Sequence, residues 1–338
     1  EAASKWLSQP HYVATVVRPR ADSTQVPYVP EGLAADDVVT YFKQAGIPTW
    51  DTSANPAIVL PKIDRAALDL TDKANYKREI LPNGLTVIVK SSPDSRVFAI
   101  NAFGLNRCAN EPPDKARITD SVNHCLEKGT TTRSAAYLSP ELAAIGANVT
   151  LYDNPFIPYD DKYTTPMFSF FKFETIDQFA QRGMELFAEM LTHPRFDSTE
   201  VEKVRQGIIG TLMRESSAPG PTARRAFYSS MFGEKAYGRS VAGNAMSIGS
   251  ITVADLRAHH ARFYSPENLV IVIGTSQPTD TVITWVTALF GGLPRSGQPL
   301  SVAEPPDPIA ATQTNHVELN KEQMAIYLGS PLPGSGDP

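Results

Sequence analysis

Two side chains near the middle of the chain have the types and spacing to do chemistry. Asp120 and His124 stand four residues apart, which puts both on one face of a helix. A carboxylate beside an imidazole is a metal-ligand pair, but zinc sites take three or four protein ligands. The pair alone is therefore a weak site, and the simpler expectation for His124 is a hydrogen-bonded core histidine. Cys125 follows His124 directly, so it points to a different helix face and does not complete a Cys/His site. With Cys108 it makes two cysteines in the chain, too few for a disulfide framework. A single bridge in an oxidising compartment and two small buried apolar side chains both remain open. His259 and His260 lie side by side on a helix with no partner in sequence, and an exposed pair is expected. The segment Asp153 to Asp161 reads as a solvated loop with room for no more than a weak calcium site. GGLPRSGQP lacks the strand–loop–helix context of a phosphate loop, and no G-x-S-x-G elbow is present.

The elements that must position these residues follow from periodicity. Ile118, Val122, Cys125 and Leu126 fall on one helical face over 118–127, and Lys128-Gly129 ends that helix. Before it, Pro82-Asn83-Gly84 is a turn followed by strands at 85–90 and 96–103. After it, Ser139-Pro140-Glu141 reads as a helix start with Ser as N-cap, and Gly146 as its end. Strands are expected at 148–152 and 167–173, and the segment 153–163 as a loop. Two long helices follow. Thr175 with Gln178 reads as a capping box ahead of a stripe of Ile176, Phe179, Phe187 and Met190. Asp197 with Glu200 starts the second helix, with the stripe Val201, Val204, Ile208 and Leu212. Thr252 opens a helix carrying Leu256 and Phe263, and NLVIVIGT (268–275) is a strand.

The flanks are less patterned. Residues 1–75 are Pro-rich, with a strand near 12–17, a short helix near 34–45 and a polar linker. A Pro-rich linker at 304–308 precedes a last strand near 323–328. Hairpin-like strands mixed with runs of helices argue for an α+β fold with an antiparallel or mixed sheet and helices packed on one face.

Composition narrows the function classes. Hydrophobic residues make up 42% and charged residues 20% of 338 residues, which supports a sizeable globular core. A net charge of −5 with no basic block argues against a nucleic-acid surface. No apolar run approaches the ~20 residues that span a bilayer. The start, EAASKWLSQP, has neither a basic n-region nor an apolar h-region and reads as the inside of a longer chain.

Six segments in order carry a resemblance: LPNGLTVIVK, NHCLEKGTTTRS, Gly146-Ala147-Asn148-Val149, HPRFDSTEVEKVRQGII, YGRSVAGNAMSIGSIT and FYSPENLVIVIGT. In this order and spacing the chain resembles the pitrilysin/insulinase zinc-peptidase family, over about residues 78–294. That family includes the mitochondrial processing peptidases and tandem bacterial zinc proteases. Its active members carry His-x-x-Glu-His just before Leu-x-Lys-Gly-Thr. The two His bind zinc on one helix face, the Glu is general base to the bound water, and a Glu on a later helix is the third ligand.

Lys128-Gly129-Thr130 sets the register. It places the five motif positions on Asp120, Ser121, Val122, Asn123 and His124. The later helix places the supporting Glu on Arg205 and the zinc-binding Glu on Leu212. An amide cannot take a proton from water at neutral pH, and a leucine binds no metal. The resemblance therefore implies no catalytic and no metal-binding residue in this chain, with Asp120, Asn123, His124, Arg205 and Leu212 as positions of a degenerate motif. It further implies a clam-shell of two homologous halves, with zinc in an active partner half, in the same chain or a separate subunit, acting on peptides. Residues 1–75 would be the end of a preceding half plus the inter-half linker, 76–305 the peptidase-like domain, and 306–338 the start of a second related domain. The tandem bacterial members suggest a periplasmic location. Two other readings stay open: a metalloendopeptidase active in its own right, and a non-proteolytic assembly module of the same fold.

Overall fold

The structure is a computed structural model that describes residues 13–19, 76–153, 164–233, 235–298, 300–304 and 313–329. The helix expected near 34–45, most of the 153–163 loop and the 305–308 part of the linker lie outside the described residues.

The larger sheet has six strands in the order β2-β3-β7-β4-β6-β5. They are β2 (Tyr76–Ile80), β3 (Thr86–Ser91), β4 (Val97–Leu105), β5 (Asn148–Thr150), β6 (Phe168–Ile176) and β7 (Leu269–Thr275). β3 and β7 run parallel, and the other neighbours are antiparallel. The sheet is thus mixed, as expected. Strict alternation along β4, β6 and β7 buries one face. Phe98, Ile100, Phe171, Phe173, Ile271 and Ile273 on that face join one hydrophobic core with the helices.

The helices of that layer are α1 (Arg107–Asn110), α2 (Ile118–Leu126), α3 (Ala135–Ala144), α4 (Ala180–Thr192) and α5 (Ser198–Ser216). They continue with α7 (Ala245–Ser250), α8 (Val253–Phe263) and α9 (Thr279–Phe290), while α6 (Pro219–Phe232) packs on a second sheet. α5 matches its sequence pattern closely. Asp197 accepts from the N–H groups of Thr199 and Glu200, and the buried residues are Val201, Val204, Ile208 and Leu212. Thr252 and Asp255 form a reciprocal capping box on α8. Gly129, with φ +104°, closes the turn after α2 in a conformation that disfavours side chains.

Two expected helix starts are corrected. α3 begins before Ser139: the cap position is Ser134, and Pro140 lies inside the helix. Leu138 is fully buried, and docking it in the core requires the turn ahead of Pro140 to be helical. Thr175 caps nothing. It sits in β6 and its hydroxyl donates to the Ile145 carbonyl at 2.5 Å. Ile176 ends the strand half-exposed, and a 3-10 turn over Asp177–Phe179 leads into α4. α6, α9 and the strand at 313–319 had no expectation attached, because Pro219-Gly220-Pro221 and the Thr-rich run 279–287 mask their helical periods.

A second sheet has three strands in the order β8-β1-β9. β1 (Val13–Pro19) lies between β8 (Gln313–Leu319), parallel to it, and β9 (Ala325–Gly329), antiparallel. Residues from before position 75 and after position 305 thus share one sheet. α6 packs on it through Asn315 Nδ2, which donates to Ser230 Oγ at 2.6 Å, and through the rings of Phe227 and Tyr327.

Candidate functional site: a buried charge cluster at the start of α2

α2 begins without a side-chain N-cap. Its first free N–H groups are satisfied instead by Glu111, a buried carboxylate. Glu111 accepts from the backbone N–H of Arg117 at 2.9 Å and of Thr119 at 3.1 Å, and from Arg107 Nε at 3.0 Å. A carboxylate at a helix N-terminus also meets the positive end of the helix dipole. Burial alone would push the Glu111 carboxyl up, but the Arg107 guanidinium and the hydrogen bonds from Thr119 and Arg117 hold it below the usual carboxylate range. Arg107 is itself fully buried, and its Nη2 has no partner among the described residues. Thr119 Oγ1 lies 2.8 Å from His259 Nε2. His259 is therefore buried, and the expected exposed pair is corrected. The cause is the inward turn of α8 onto α2. Burial drops the His259 imidazole to about 4. His260 is bonded through Nε2 to the Leu191 carbonyl at 2.7 Å.

The five motif positions follow on α2. Asp120 is buried, and its Oδ2 accepts from Arg117 Nε at 2.6 Å. Burial opposes its ionisation, yet the charges of Arg117, His124 and Arg107 hold it at about 2. Arg117 adopts a left-handed backbone, φ +78°, which is uncommon for a non-glycine residue. Its N–H is bound to Glu111, and its Nη1 donates to the Ala242 carbonyl at 3.3 Å. Ser121 Oγ donates to the Arg117 carbonyl, and Val122 lies in the core. Asn123 uses both amide ends. Its Nδ2 donates to the Leu151 carbonyl at 3.1 Å and to Ser169 Oγ at 2.8 Å, and its Oδ1 accepts from the Tyr264 hydroxyl. His124 is bonded but sits at the rim of the core, its side chain 18% exposed. Its Nδ1 lies 2.8 Å from the Asp120 carbonyl oxygen and 3.6 Å from Asp120 Oδ1, and its ring stacks on Tyr152 at 3.8 Å.

On α5, Arg205 Nη2 donates to the Ile251 carbonyl at 2.7 Å and Nη1 pairs with Glu202. Leu212 is buried in the core. Arg205 lies beside Ser121 and Cys125 around a cavity of about 10 Å³, room for one water. These residues do not fit a zinc ion. Asp120 is engaged by a guanidinium and Leu212 is hydrocarbon, so His124, with Nδ1 bonded to a backbone carbonyl, could offer Nε2 as a single ligand, too few for a zinc site. Among the described residues no three His, Cys, Asp or Glu side chains gather as a metal site. Cys108 and Cys125 are both free and buried, and burial pushes each thiol up to about 12. The Glu111–Arg107–Thr119–His259 part of the cluster went unread in the sequence, where its single signal is the i, i+4 spacing of Arg107 and Glu111.

Two family profiles match the chain. One, described as insulinase (peptidase family M16), covers residues 108–245, and the other, described as the peptidase M16 inactive domain, covers residues 250–338. This chain belongs to the insulinase-type M16 peptidase family. Relatives include an uncharacterised zinc protease of Streptomyces coelicolor, 24% identical over 75% of this chain and 54% of that protein. Another, from Bacillus subtilis, is 22% identical over 68% of this chain and 53% of that protein. The chain thus spans about half the length of the curated relatives it matches. Two solved structures share the fold. A peptidase M16 inactive domain from Pseudomonas fluorescens has a TM-score of 0.60 at 18% identity, covering 69% of this chain and 54% of that one. A protease from Helicobacter pylori has a TM-score of 0.56 at 17% identity, covering 66% and 52%.

Proposed function

We propose that this M16 chain is the non-catalytic half of a zinc metallopeptidase, forming the chamber wall opposite a zinc-bearing half that hydrolyses peptides. The observation that carries this reading is Asn123. At the position of the family's general base stands an amide whose donors and acceptor are all spent on Leu151, Ser169 and Tyr264. Water activation needs a group that can accept a proton, and this one holds the sheet to α2 instead. Asp120, locked to Arg117, and Leu212, in the core, support the same conclusion at the ligand positions. The match to a family profile described as the inactive domain over residues 250–338 agrees with it.

In this reading the chain contributes enclosure and positioning, which supply much of catalysis even from residues far from the metal. Residues 1–75 belong to the end of a preceding half and its linker, 76–305 to the wall domain and 306–338 to the start of its second domain. The zinc belongs to the partner half, and a periplasmic location goes with the tandem bacterial resemblance.

The test has two parts. Elemental analysis after purification without chelator and dialysis against trace zinc is expected to give far less than one zinc per chain. Adding the chain, extended to its complete half, to the active half is expected to raise peptide turnover, and His124→Ala is expected to leave that rise unchanged. Stoichiometric zinc retained through dialysis would return the chain to the active peptidases. Turnover identical with and without the chain would remove the enclosure role.

A further inference from the structure

Next to the charge cluster the surface opens into a cleft of about 320 Å³. α6 supplies Arg224, Arg225 and Tyr228 to its wall, the segment 237–242 supplies Tyr237 and Arg239, and the end of α5 supplies Glu215. The cleft adjoins the motif positions: Ala242 on its rim accepts from Arg117, and Glu215 lies three residues beyond Leu212 on α5.

The cleft is built from fixed parts. A Cβ at Gly238 would lie 2.0 Å from the Gly233 carbonyl oxygen, so the 236–239 turn closes onto the end of α6 only with glycine there. Arg239 Nη1 reaches the carbonyls of Cys108 and Glu111, both at 3.4 Å, tying the turn to the α1 segment. The opposite rim is held by the N–H groups of Arg107 and Cys108, which donate to the carbonyls of Met167 and Pro166. The rings of Tyr228, Phe232 and Tyr237 form a chain with centroid spacings of 5.7 and 5.6 Å.

Two of the charges within this frame have no partner among the described residues. Arg224 is exposed and Arg225 half-buried. Neither forms an ion pair or hydrogen bond with any described residue. Among the described residues three arginines and one glutamate line the cleft, whereas the whole chain carries a net charge of −5. Such a local reversal of sign between low-dielectric walls concentrates anions.

We propose that this cleft binds an extended acidic peptide segment, with Asp or Glu side chains on Arg224 and Arg225 and an intervening apolar side chain against Tyr228 and Tyr237. Arginine forks match carboxylates in bidentate geometry. Tyrosine offers amphipathic contact area at low entropic cost. Glu215 opposes a uniformly charged polyanion but accepts a peptide N–H, which sets peptide apart from nucleic acid. The inference extends the enclosure reading by naming the peptide chemistry. It is tested by binding to this chain alone, so failure of either leaves the other to be judged separately.

The experiment is fluorescence anisotropy with a rhodamine-labelled, C-terminally amidated peptide alternating Glu and Phe, against its Gln-for-Glu counterpart. The Glu peptide is expected to bind at least about tenfold tighter, a difference of about 1.4 kcal/mol, with the gap shrinking as salt rises. Arg224→Gln with Arg225→Gln is expected to erase the preference at an unchanged melting temperature. Arg224→Gln alone, on the exposed side of α6, is expected to reduce it. Equal binding of the two peptides, or a preference that survives the double substitution, overturns the proposal. So does a Gln peptide with a free C-terminus that binds as tightly as the Glu peptide, which would make the cleft a chain-end site. Displacement by a single-stranded oligonucleotide at lower concentration than by the Glu peptide overturns it in favour of a nucleic-acid surface.

Discussion

Substituting Glu111 by Gln tests how the start of α2 is held. Gln keeps the shape and one acceptor oxygen, so the backbone N–H of Arg117 or Thr119 can still be satisfied. What disappears is the charge that neutralises Arg107, a fully buried guanidinium whose Nη2 already lacks a partner. Removing one member of a buried ion pair typically costs about 3–5 kcal/mol, because the other is left charged in a low-dielectric setting. For a unit of this size each kcal/mol corresponds to roughly 2–4 °C in Tm, so Glu111→Gln is expected to lower the melting temperature by roughly 6–20 °C. Arg107→Met combined with Glu111→Gln removes the stranded charge and is expected to recover at least half of the loss. Denaturant unfolding of the wild type, both single variants and the double variant closes the cycle. A loss below about 1 kcal/mol for Glu111→Gln, or a double variant as unstable as the summed singles, would refute the view that this pair is a coupled buried unit.

Three further outcomes follow from the same geometry. Asn123→Asp replaces the N–H that Leu151 O receives by a carboxylate oxygen facing a carbonyl. It is expected to cost about 2–4 kcal/mol, read by denaturant melts, while Asn123→Ala, which leaves no buried charge, is expected to cost less. Acid should weaken the fold in two steps. His259 titrates at about 4 in the folded chain against 6.5 unfolded, so between these values the unfolded state binds more protons and stability falls as pH falls. Asp120, at about 2 against 3.8, extends the loss below that window. His259→Gln is expected to flatten the upper step, worth up to about 3 kcal/mol, in pH-dependent melts. Gly238→Ala is expected to abolish acidic-peptide binding, because the added methyl would lie 2.0 Å from the Gly233 carbonyl oxygen and displace the turn bearing Arg239. Anisotropy on the folded variant checks this.

Local signals were legible wherever the residues that cause a structure are neighbours in the chain. The α5 cap and stripe, the Thr252–Asp255 box and the Gly129 stop depend on contacts within a turn or two, and periodicity reports such contacts directly. The same local logic failed at Thr175 and Ser139. Each carries the right residue type for a cap, but tertiary packing had already committed it, Thr175 to β6 and the Ile145 carbonyl, and the turn before Pro140 to the burial of Leu138. The motif positions 120–124 were placed on one helix from sequence, and the absence of a basic group at Asn123 follows from residue identity alone.

What those residues do instead depends on partners far along the chain. His259 meets Thr119 across 140 residues and Tyr264 meets Asn123 across 141. β7 enters the sheet between β3 and β4, and β1 pairs with strands at the other end of the described chain. The sequence by itself determined which side chains were available at positions 120, 123 and 212: an aspartate, an amide and a leucine. Only the tertiary structure decided that Asp120 is spent on Arg117, that His259 is buried rather than exposed, and that Arg239 joins Arg224 and Arg225 of α6 in lining one cleft. Helical and strand periods encode which face of an element is apolar, whereas pairing between elements is set by the collective packing of surfaces that no local window contains.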